Sequence, residues 1–322
     1  MRKSLKIEEP DYILISTLFK EIGEELRLSF VNEKEEFQST KILNQRVGSF
    51  SCVLSSCGLN SRGKLYVISK EEIQNLKGIP PQDFESKIDA VDWSQLGGIV
   101  ITEGIRGELP LLLERLSSRV PILCSDVPIT NFWSTLNSYL SFKFSPFALL
   151  HGSAAEVFGE GVLITGPSGS GKSEIVLELM RRGHSFVADD LIKVISFPFG
   201  TLTLTSGTPE RKFRYFLELR GAGIIDLLMT YGPGRVRDKT TLSVVVELME
   251  GNDKSRNERG MLEKGELLQK KVNFVRLPVK EKALTVSTIE TIVLTIKLRK
   301  FGFNTKSIID SVLGGKGDKE IK

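Results

Sequence analysis

The chain has 322 residues, 40% hydrophobic and 26% charged, with 44 basic against 40 acidic side chains for a net charge of +4. That length suits about two domains of roughly 100–200 residues each, and the composition is that of a globular enzyme with a sizeable core. The near balance of charge singles out no partner, and neither nucleic acid nor membrane is expected.

The first residues, MRKSLKIEEPDYILIS, contain no apolar run ending at a small-residue cleavage site. No apolar run approaches the roughly 20 residues that span a bilayer, so a cytoplasmic location is expected. The three cysteines, Cys52, Cys57 and Cys124, lack metal-ligand spacing and are expected as reduced thiols.

In chain order, KLYVIS (64–69) is strand-like, and KEEIQNLKG after it is helical until Pro80 and Pro81 break the pattern. GGIVITEG (97–104), GELPLLLERLSSR (107–119) and VPILCSD (120–126) read as strand, helix and strand, the rhythm of a parallel sheet. Thr130 is placed to N-cap a helix with Phe132, Leu136, Tyr139 and Leu140 on one face. No catalytic cluster is visible in this half, which is assigned a supporting or regulatory role. Pro146 in KFSPF (143–147) ends that helix. It divides a small α/β domain, 1–145, from a second domain, 146–322.

In the second domain GVLITG (161–166) reads as a strand, 171–182 as a helix and SFVADD (185–190) as a further strand. Strands are also expected at TLTLTS (201–206) and TLSVVVELM (241–249). The charged stretch 250–271 interrupts them and is expected to be mobile. STIETIVLTIKLRKFG (287–302) reads as an amphipathic helix. Its Lys297, Arg299 and Lys300 read as a solvated last turn favoured by the helix dipole, with a partner contact as the alternative.

Gly166-Pro167-Ser168-Gly169-Ser170-Gly171-Lys172-Ser173 fits G-x-x-x-x-G-K-[ST] at every fixed position, between an apolar strand and a helix. The glycines let backbone N–H groups converge on phosphate oxygens, and the helix start adds its positive end. Lys172 is placed for the outer phosphates and the Ser173 hydroxyl for Mg²⁺. From Gly171 to Arg182 the helix runs roughly 18 Å, after which a right-handed crossover makes SFVADD parallel to GVLITG. Asp189 and Asp190 then reach the sheet edge that carries the phosphate loop. Carboxylates there can hold Mg²⁺ or take a proton from an attacking hydroxyl. In the bland alternative one caps a turn and the other is solvated.

The loop alone does not separate a kinase from a nucleotide switch, but no N-K-x-D tetrapeptide for guanine occurs in the chain. Of the two histidines, His151 opens an apparent hairpin into the loop strand. A lone His there is more often structural than catalytic. His184 reads as a surface residue of the turn after the helix.

The stretches LLHG, GVLITGPSGSGKSE, LELMRRGHSFVADD and LELRGAGIIDLLMTYGPGRVRDKTTLSVVVELME (217–250) resemble the HPr kinase/phosphorylase family. That family phosphorylates a serine of HPr, the phosphocarrier of the bacterial sugar phosphotransferase system, and many members also remove the phosphate. The resemblance covers the second half and reaches into the first through GGIVITEG and the residues up to Leu140. The stretch Leu217-Glu218-Leu219-Arg220-Gly221-Ala222-Gly223-Ile224-Ile225-Asp226 is its most specific part.

The resemblance implies an α/β fold with a small N-terminal domain and a P-loop kinase domain built on a mixed sheet. It implies ATP or pyrophosphate as phosphoryl donor, with Mg²⁺ at Ser173 and Glu218. Lys172 is then the phosphate cation, and one Asp of the pair, taken as Asp190, is the base towards the HPr serine and the acid in reverse. Asp189 assists with the metal, His151 matches the catalytic His, and Arg259 matches the Arg of a mobile active-site loop. In the reverse reaction inorganic phosphate attacks phosphoserine and pyrophosphate forms. Homo-hexamers, with HPr bound partly through residues 287–302, are implied as well.

Two departures stand out. Pro167 replaces an Asp frequent in the family at a variable loop position. At Pro278-Val279-Lys280-Glu281-Lys282-Ala283 the family usually has P-V-x-x-G-R-N, a segment tied to dephosphorylation, and Glu281-Lys282-Ala283 replace the Gly-Arg-Asn. The alternatives are a kinase of another protein or small molecule, or a nucleotide-gated regulatory ATPase that transfers nothing.

Overall fold

The computed structural model describes residues 6–55, 62–108, 110–197, 200–208, 213–219, 221, 223–249, 262–279 and 282–303. The chain divides into two units, Glu9–Ser145 and the chain from Pro146 on, the latter including the residues up to Glu8. Glu8 belongs there because its backbone N–H and C=O both bond to Phe147.

In Glu9–Ser145 the strands Gly48–Ser49, Leu65–Ile68, Gly98–Ile101 and Ile122–Cys124 lie side by side and parallel, and Ser29–Phe30 adds an antiparallel edge. LYVI and GIVI are buried throughout, as strands covered on both faces must be. Tyr66, Ile68, Ile99 and Ile101 pack on Ile73, Leu76, Leu112 and Leu116 of the crossover helices. Leu65, Val67 and Val100 pack on Ile15, Leu18, Phe132 and Leu136.

Thr130 does not cap the helix Ile129–Lys143 as expected; the capping position is Pro128, at φ −53° and ψ 140°, with no side-chain cap. Proline fixes its own φ and has no N–H to satisfy, so the helix starts earlier and Thr130 lies in its first turn.

The second unit begins with β1 (Phe147–Val157) and β2 (Glu160–Thr165). These form an antiparallel hairpin across Phe158-Gly159, both at positive φ, 51° and 82°. That two-residue turn matches the right-handed twist of the strands it joins. The phosphate loop leads into α1 (Lys172–Arg181), followed by β3 (Ser185–Ser196) and β4 (Leu202–Ser206). A small hairpin of β5 (Phe216–Leu219) and β6 (Gly223–Asp226) precedes the short α2 (Leu227–Tyr231). The chain then forms β7 (Lys239–Met249), β8 (Glu263–Leu267), β9 (Lys270–Pro278) and α3 (Lys282–Lys300).

The main sheet is mixed, in the order β4-β3-β1-β2-β7-β9-β8. An added β4–β7 pairing, Thr203 opposite Thr241, closes β7, β2, β1, β3 and β4 into a ring. Leu150, Leu163, Ile192, Val194, Leu204 and Val245 form the core on one face. On the other, Val162, Ile164, Val244 and Val246 pack on α1 through Ile175, Val176 and Leu179 and on α3 through Ile289 and Val293.

Three expectations are corrected. β3 runs in the same direction as β2, but β1 lies between them, antiparallel to both, so this is not a simple βαβ unit. Part of the charged stretch 250–271 is strand, with Glu263–Leu267 paired antiparallel to β9; residues 250–261 lie outside the described residues. The last turn of α3 is not simply solvated. Lys297 Nζ donates to the Phe158 carbonyl at 2.7 Å, and Lys300 pairs with Glu160 and reaches Ser243 Oγ at 3.3 Å.

Candidate active site

The phosphate loop leaves β2 at Gly166, whose φ is 148°. A Cβ there would lie 2.8 Å from the Leu248 carbonyl oxygen of β7 and 2.9 Å from the Leu248 Cβ. The loop therefore passes β7 too closely for any side chain. Gly169 and Gly171 are left-handed as well, at φ 81° and 84°. Lys172 is buried, and its Nζ donates to the carbonyls of Gly166 at 3.2 Å and Pro167 at 2.8 Å. Pro167 thus contributes through its backbone.

The loop forms one end of a cavity of about 440 Å³. Ser168, Gly169, Gly171, Lys172, Ser173 and Glu174 line that end, His151, Gly152, Asp189 and Asp190 another wall, and Phe213, Arg214, Phe216, Glu218 and Ile224 a third. The carboxylate pair reaches it by a route the sequence does not show. Asp189 and Asp190 stand in the middle of β3, opposite Ser153 and Gly152 of β1, not at a strand end. Consecutive strand residues normally face opposite sides of a sheet. Asp190, however, has φ 66°, a left-handed conformation that Asp adopts more readily than most residues, and both carboxylates line the cavity.

Their environments differ. Asp189 is partly buried, accepts from Ser173 Oγ at 2.8 Å, and takes a second hydroxyl bond from Ser153. Burial pushes its carboxyl above the usual range, with Asp190 adding to the rise, although the two serines pull the other way. Asp190 is exposed, and its Oδ1 lies 2.9 Å from His151 Nδ1. Asp189 is thus anchored to the phosphate loop, whereas Asp190 and His151 stand free to meet a second reactant.

Among the described residues, the buried side-chain polar atoms without a hydrogen-bond partner are Thr165 Oγ1, Ser170 Oγ and Arg214 Nε. All three belong to the loop, the strand end feeding it or the cavity wall. Buried unpartnered groups are rare and costly, so their gathering marks a place built for a polar ligand. No group of three or more His, Cys, Asp or Glu able to hold a metal occurs among the described residues. The oxygens at hand, from Ser173, Asp189 and Glu218, are the hard donors that suit Mg²⁺, which typically takes one or two carboxylates and completes its shell with phosphate and water.

Comparison with known proteins bears on what that ligand is. Residues 142–312 match the family described as HPr Serine kinase C-terminal domain. The chain belongs to the HPr kinase/phosphorylase family. It is 31% identical over 245 residues to the HPr kinase/phosphorylase of Geobacillus kaustophilus (strain HTA426), across 75% of this chain and 77% of that one. To HPr kinase/phosphorylase 1 of Oceanobacillus iheyensis it is 32% identical over 246 residues, across 75% and 78%. A structure of the Hpr(Ser) kinase/phosphatase from Coxiella burnetii is similar at 23% identity and a TM-score of 0.43, covering 53% of this chain and 99% of that one.

The stretch Leu217 to Asp226, expected as the most specific part of the resemblance, lies in the β5–β6 hairpin, with Leu217 opposite Ile225, Glu218 opposite Ile224 and Leu219 opposite Gly223. Leu217 is buried under the helices, and Glu218 and Ile224 line the cavity. Asp226 caps α2 by accepting from the Met229 N–H at 3.0 Å. Gly221 and Gly223 turn the hairpin at φ 82° and 81°; Arg220 and Ala222 lie outside the described residues, as do Arg259, Lys280 and Glu281. Pro278 ends β9, the Val279 N–H bonds to the Met249 carbonyl at 3.1 Å, and Lys282 and Ala283 open α3.

His184, expected as a surface turn residue, is buried at 7% exposure. Its Nε2 lies 3.0 Å from Glu290 on α3 and its ring stacks edge-on against Phe158 at 4.6 Å. The turn after α1 is covered by α3, a contact between distant segments that no local pattern foretells. Sequence reasoning also missed Ser153, Phe213, Arg214 and Phe216. Ser153 carried no signal. Arg214 stands in a charged run, ERKFR, whose local pattern carries no mark of a site.

Proposed function

We propose that this chain is an HPr serine kinase that also carries out phosphate-dependent dephosphorylation of its product. The observation that supports this most is the His151–Asp190 contact of 2.9 Å on the wall of the cavity that Lys172 and the phosphate loop also line. It sets a proton acceptor on the cavity that the phosphate cradle also lines, as transfer to a hydroxyl requires.

In the forward direction the loop N–H groups and Lys172 hold the phosphate chain of ATP. Asp190 accepts the proton of the serine hydroxyl as that oxygen forms its bond to the terminal phosphorus. The bond from phosphorus to the bridging oxygen breaks, and ADP carries the released charge. His151 orients Asp190 and completes the polar wall around the hydroxyl. In reverse, an oxygen of inorganic phosphate attacks the phosphoserine phosphorus, the bond from phosphorus to the serine oxygen breaks, Asp190 returns the proton to that oxygen, and pyrophosphate leaves. Such transition states are loose, so positioning and charge neutralisation carry most of the rate.

Ser173, Asp189 and Glu218 are the residues that would hold Mg²⁺, which when bound supplies positive charge to the phosphate oxygens. Arg259 is assigned a further phosphate contact. The unit Glu9–Ser145 is read as supporting or regulatory, and the location as cytoplasmic. Homo-hexamer assembly belongs to the same reading. Leu298, Phe301 and Phe303, 49%, 70% and 58% exposed near the end of α3, support a surface that meets another chain, and light scattering checks the mass.

The decisive test is the intact mass of HPr from the same organism after incubation with the protein, Mg²⁺ and ATP, followed by excess inorganic phosphate. One phosphate gained on serine, then lost with pyrophosphate formed, is the expected result. Gain without loss removes the phosphorylase half of the reading. Turnover of ATP with HPr left unmodified favours a regulatory ATPase.

A further inference from the structure

Arg214 stands beside β5, outside the phosphate loop and outside the signature hairpin. It nevertheless lines the same cavity as Lys172. One of its nitrogens, Nη1, donates to Asp238 Oδ1 at 2.7 Å, and Asp238 is itself steadied by the Tyr215 hydroxyl. Its Nε is buried and has no acceptor among the described residues. A guanidinium carries five N–H donors in a fixed fork, and the Nε edge is the one that meets a phosphate or carboxylate side-on. Here the anchoring bond uses Nη1 and leaves Nε unspent.

The charge around the cavity sharpens the point. Glu174, Asp189, Asp190 and Glu218 bring four carboxylates to its lining, and the standing cations there among the described residues are Lys172 and Arg214. Lys172 already gives bonds to two loop carbonyls. A phosphate chain entering this acidic surround needs a second cation, and a guanidinium held by Asp238 is pre-set to serve without ordering a free side chain.

We propose that Arg214 is a phosphate-binding residue of this site, taking the outer phosphate of the nucleotide, or inorganic phosphate and pyrophosphate, on its Nε edge opposite Lys172. This rests on the reading of the cavity as a phosphoryl-transfer site. Asp238 and Tyr215 act through Arg214 as positioning residues. Nε is shielded in the ligand-free form, so the guanidinium turns about its Asp238 bond as the phosphate arrives, in a cavity that Phe213 and Phe216 also line. The pair packs edge-to-face, with centroids 5.6 Å apart.

The test is calorimetric titration of the full-length protein with pyrophosphate in the presence of Mg²⁺, for the wild type, Arg214→Gln and Arg214→Lys. The expected result is a pyrophosphate affinity about 10- to 100-fold weaker in Arg214→Gln, the range for losing a charge-assisted contact. Arg214→Lys, which keeps the charge and loses the fork, is expected to fall between. Equal affinity in Arg214→Gln and the wild type overturns the proposal, as does a wild type that binds no pyrophosphate. Should Arg214→Gln fail to fold, Arg214→Lys decides, and wild-type affinity there overturns it. Phosphorylation of HPr is followed in parallel. If pyrophosphate binding depends on Arg214 but HPr stays unmodified, the acceptor assignment fails and the role of Arg214 stands.

Discussion

His151 Nδ1 and Asp190 Oδ1 are 2.9 Å apart although their residues are not paired across the sheet. The β1–β3 register sets His151 opposite Leu191, and Asp190 opposite Gly152. In a regular pleat Asp190 would face away from His151. The φ of 66° at Asp190 turns its side chain back, and Gly152 opposite offers no side chain to obstruct it. Positive φ at a non-glycine residue costs of order 1–3 kcal/mol and persists where the surroundings over-determine it. Here it brings two consecutive carboxylates to one cavity.

Asp190→Asn keeps a residue that tolerates the left-handed conformation and removes the proton acceptor. Its kcat for HPr phosphorylation should fall by about 10²- to 10⁴-fold, the usual range for a lost general base, with nucleotide affinity within about twofold of the wild type. His151→Gln should lower kcat by a smaller factor. Steady-state kinetics alongside ADP titration check both, and an Asp190→Asn enzyme with near-normal kcat removes Asp190 from the base role.

Asp189 gives a stability prediction of opposite sign. Its carboxyl titrates above the ordinary value of 3.8, chiefly through burial. Folding therefore favours the protonated form. The stability is greatest below the unfolded pKa and declines as pH rises through the folded one. Asp189→Asn should raise the unfolding midpoint near neutral pH by about 2–4 °C, about 1 kcal/mol for a unit of this size, while abolishing transfer. The gain should shrink as pH falls through the folded pKa and be gone below the ordinary value of 3.8.

Glu160 behaves the other way. Burial alone would raise its pKa, but Lys300, the Ser243 hydroxyl and Lys297 together hold it below the ordinary 4.5. The stability it adds is present above the unfolded pKa and lost as pH falls through the folded one. Glu160→Gln should loosen the end of α3 on the β1–β2 turn, costing about 1 kcal/mol and speeding amide exchange in the last two turns of α3 at neutral pH. Wild-type exchange there at pH about 7 contradicts the latch.

Gly166→Ala drives a Cβ to 2.8 Å from the Leu248 carbonyl at a φ that L-residues rarely adopt. Nucleotide affinity should drop at least about tenfold, since the loop must move off β7 to accept the methyl group, while the unit Glu9–Ser145 keeps its exchange protection. Titration with ADP reads the first and hydrogen exchange the second.

Much of this was open to sequence reading. The eight-residue loop pattern, its strand and its helix follow from local spacing and glycine placement, and α1 and β2 lie within a residue or two of where the pattern puts them. The resemblance to the family is carried by runs of consecutive residues, Leu217 to Asp226 among them. Three of the parallel strands of Glu9–Ser145, at 65–68, 98–101 and 122–124, announce themselves as short apolar runs between turn residues, whereas Gly48–Ser49 does not.

The tertiary structure alone decided what depends on pairing between distant segments. The insertion of β1 between β2 and β3 is invisible to a local pattern, because strand order is set by long-range register. So is the burial of His184 under α3, and so is the division between an anchored Asp189 and an exposed Asp190. Nothing local distinguishes Arg214 from its charged neighbours; its bond to Asp238 and its place on the cavity lining do. Local spacing can name a phosphate loop because all its contacts lie within eight residues. Which side chains face that loop is settled by strand register, one left-handed φ and the packing of helices far away in the chain.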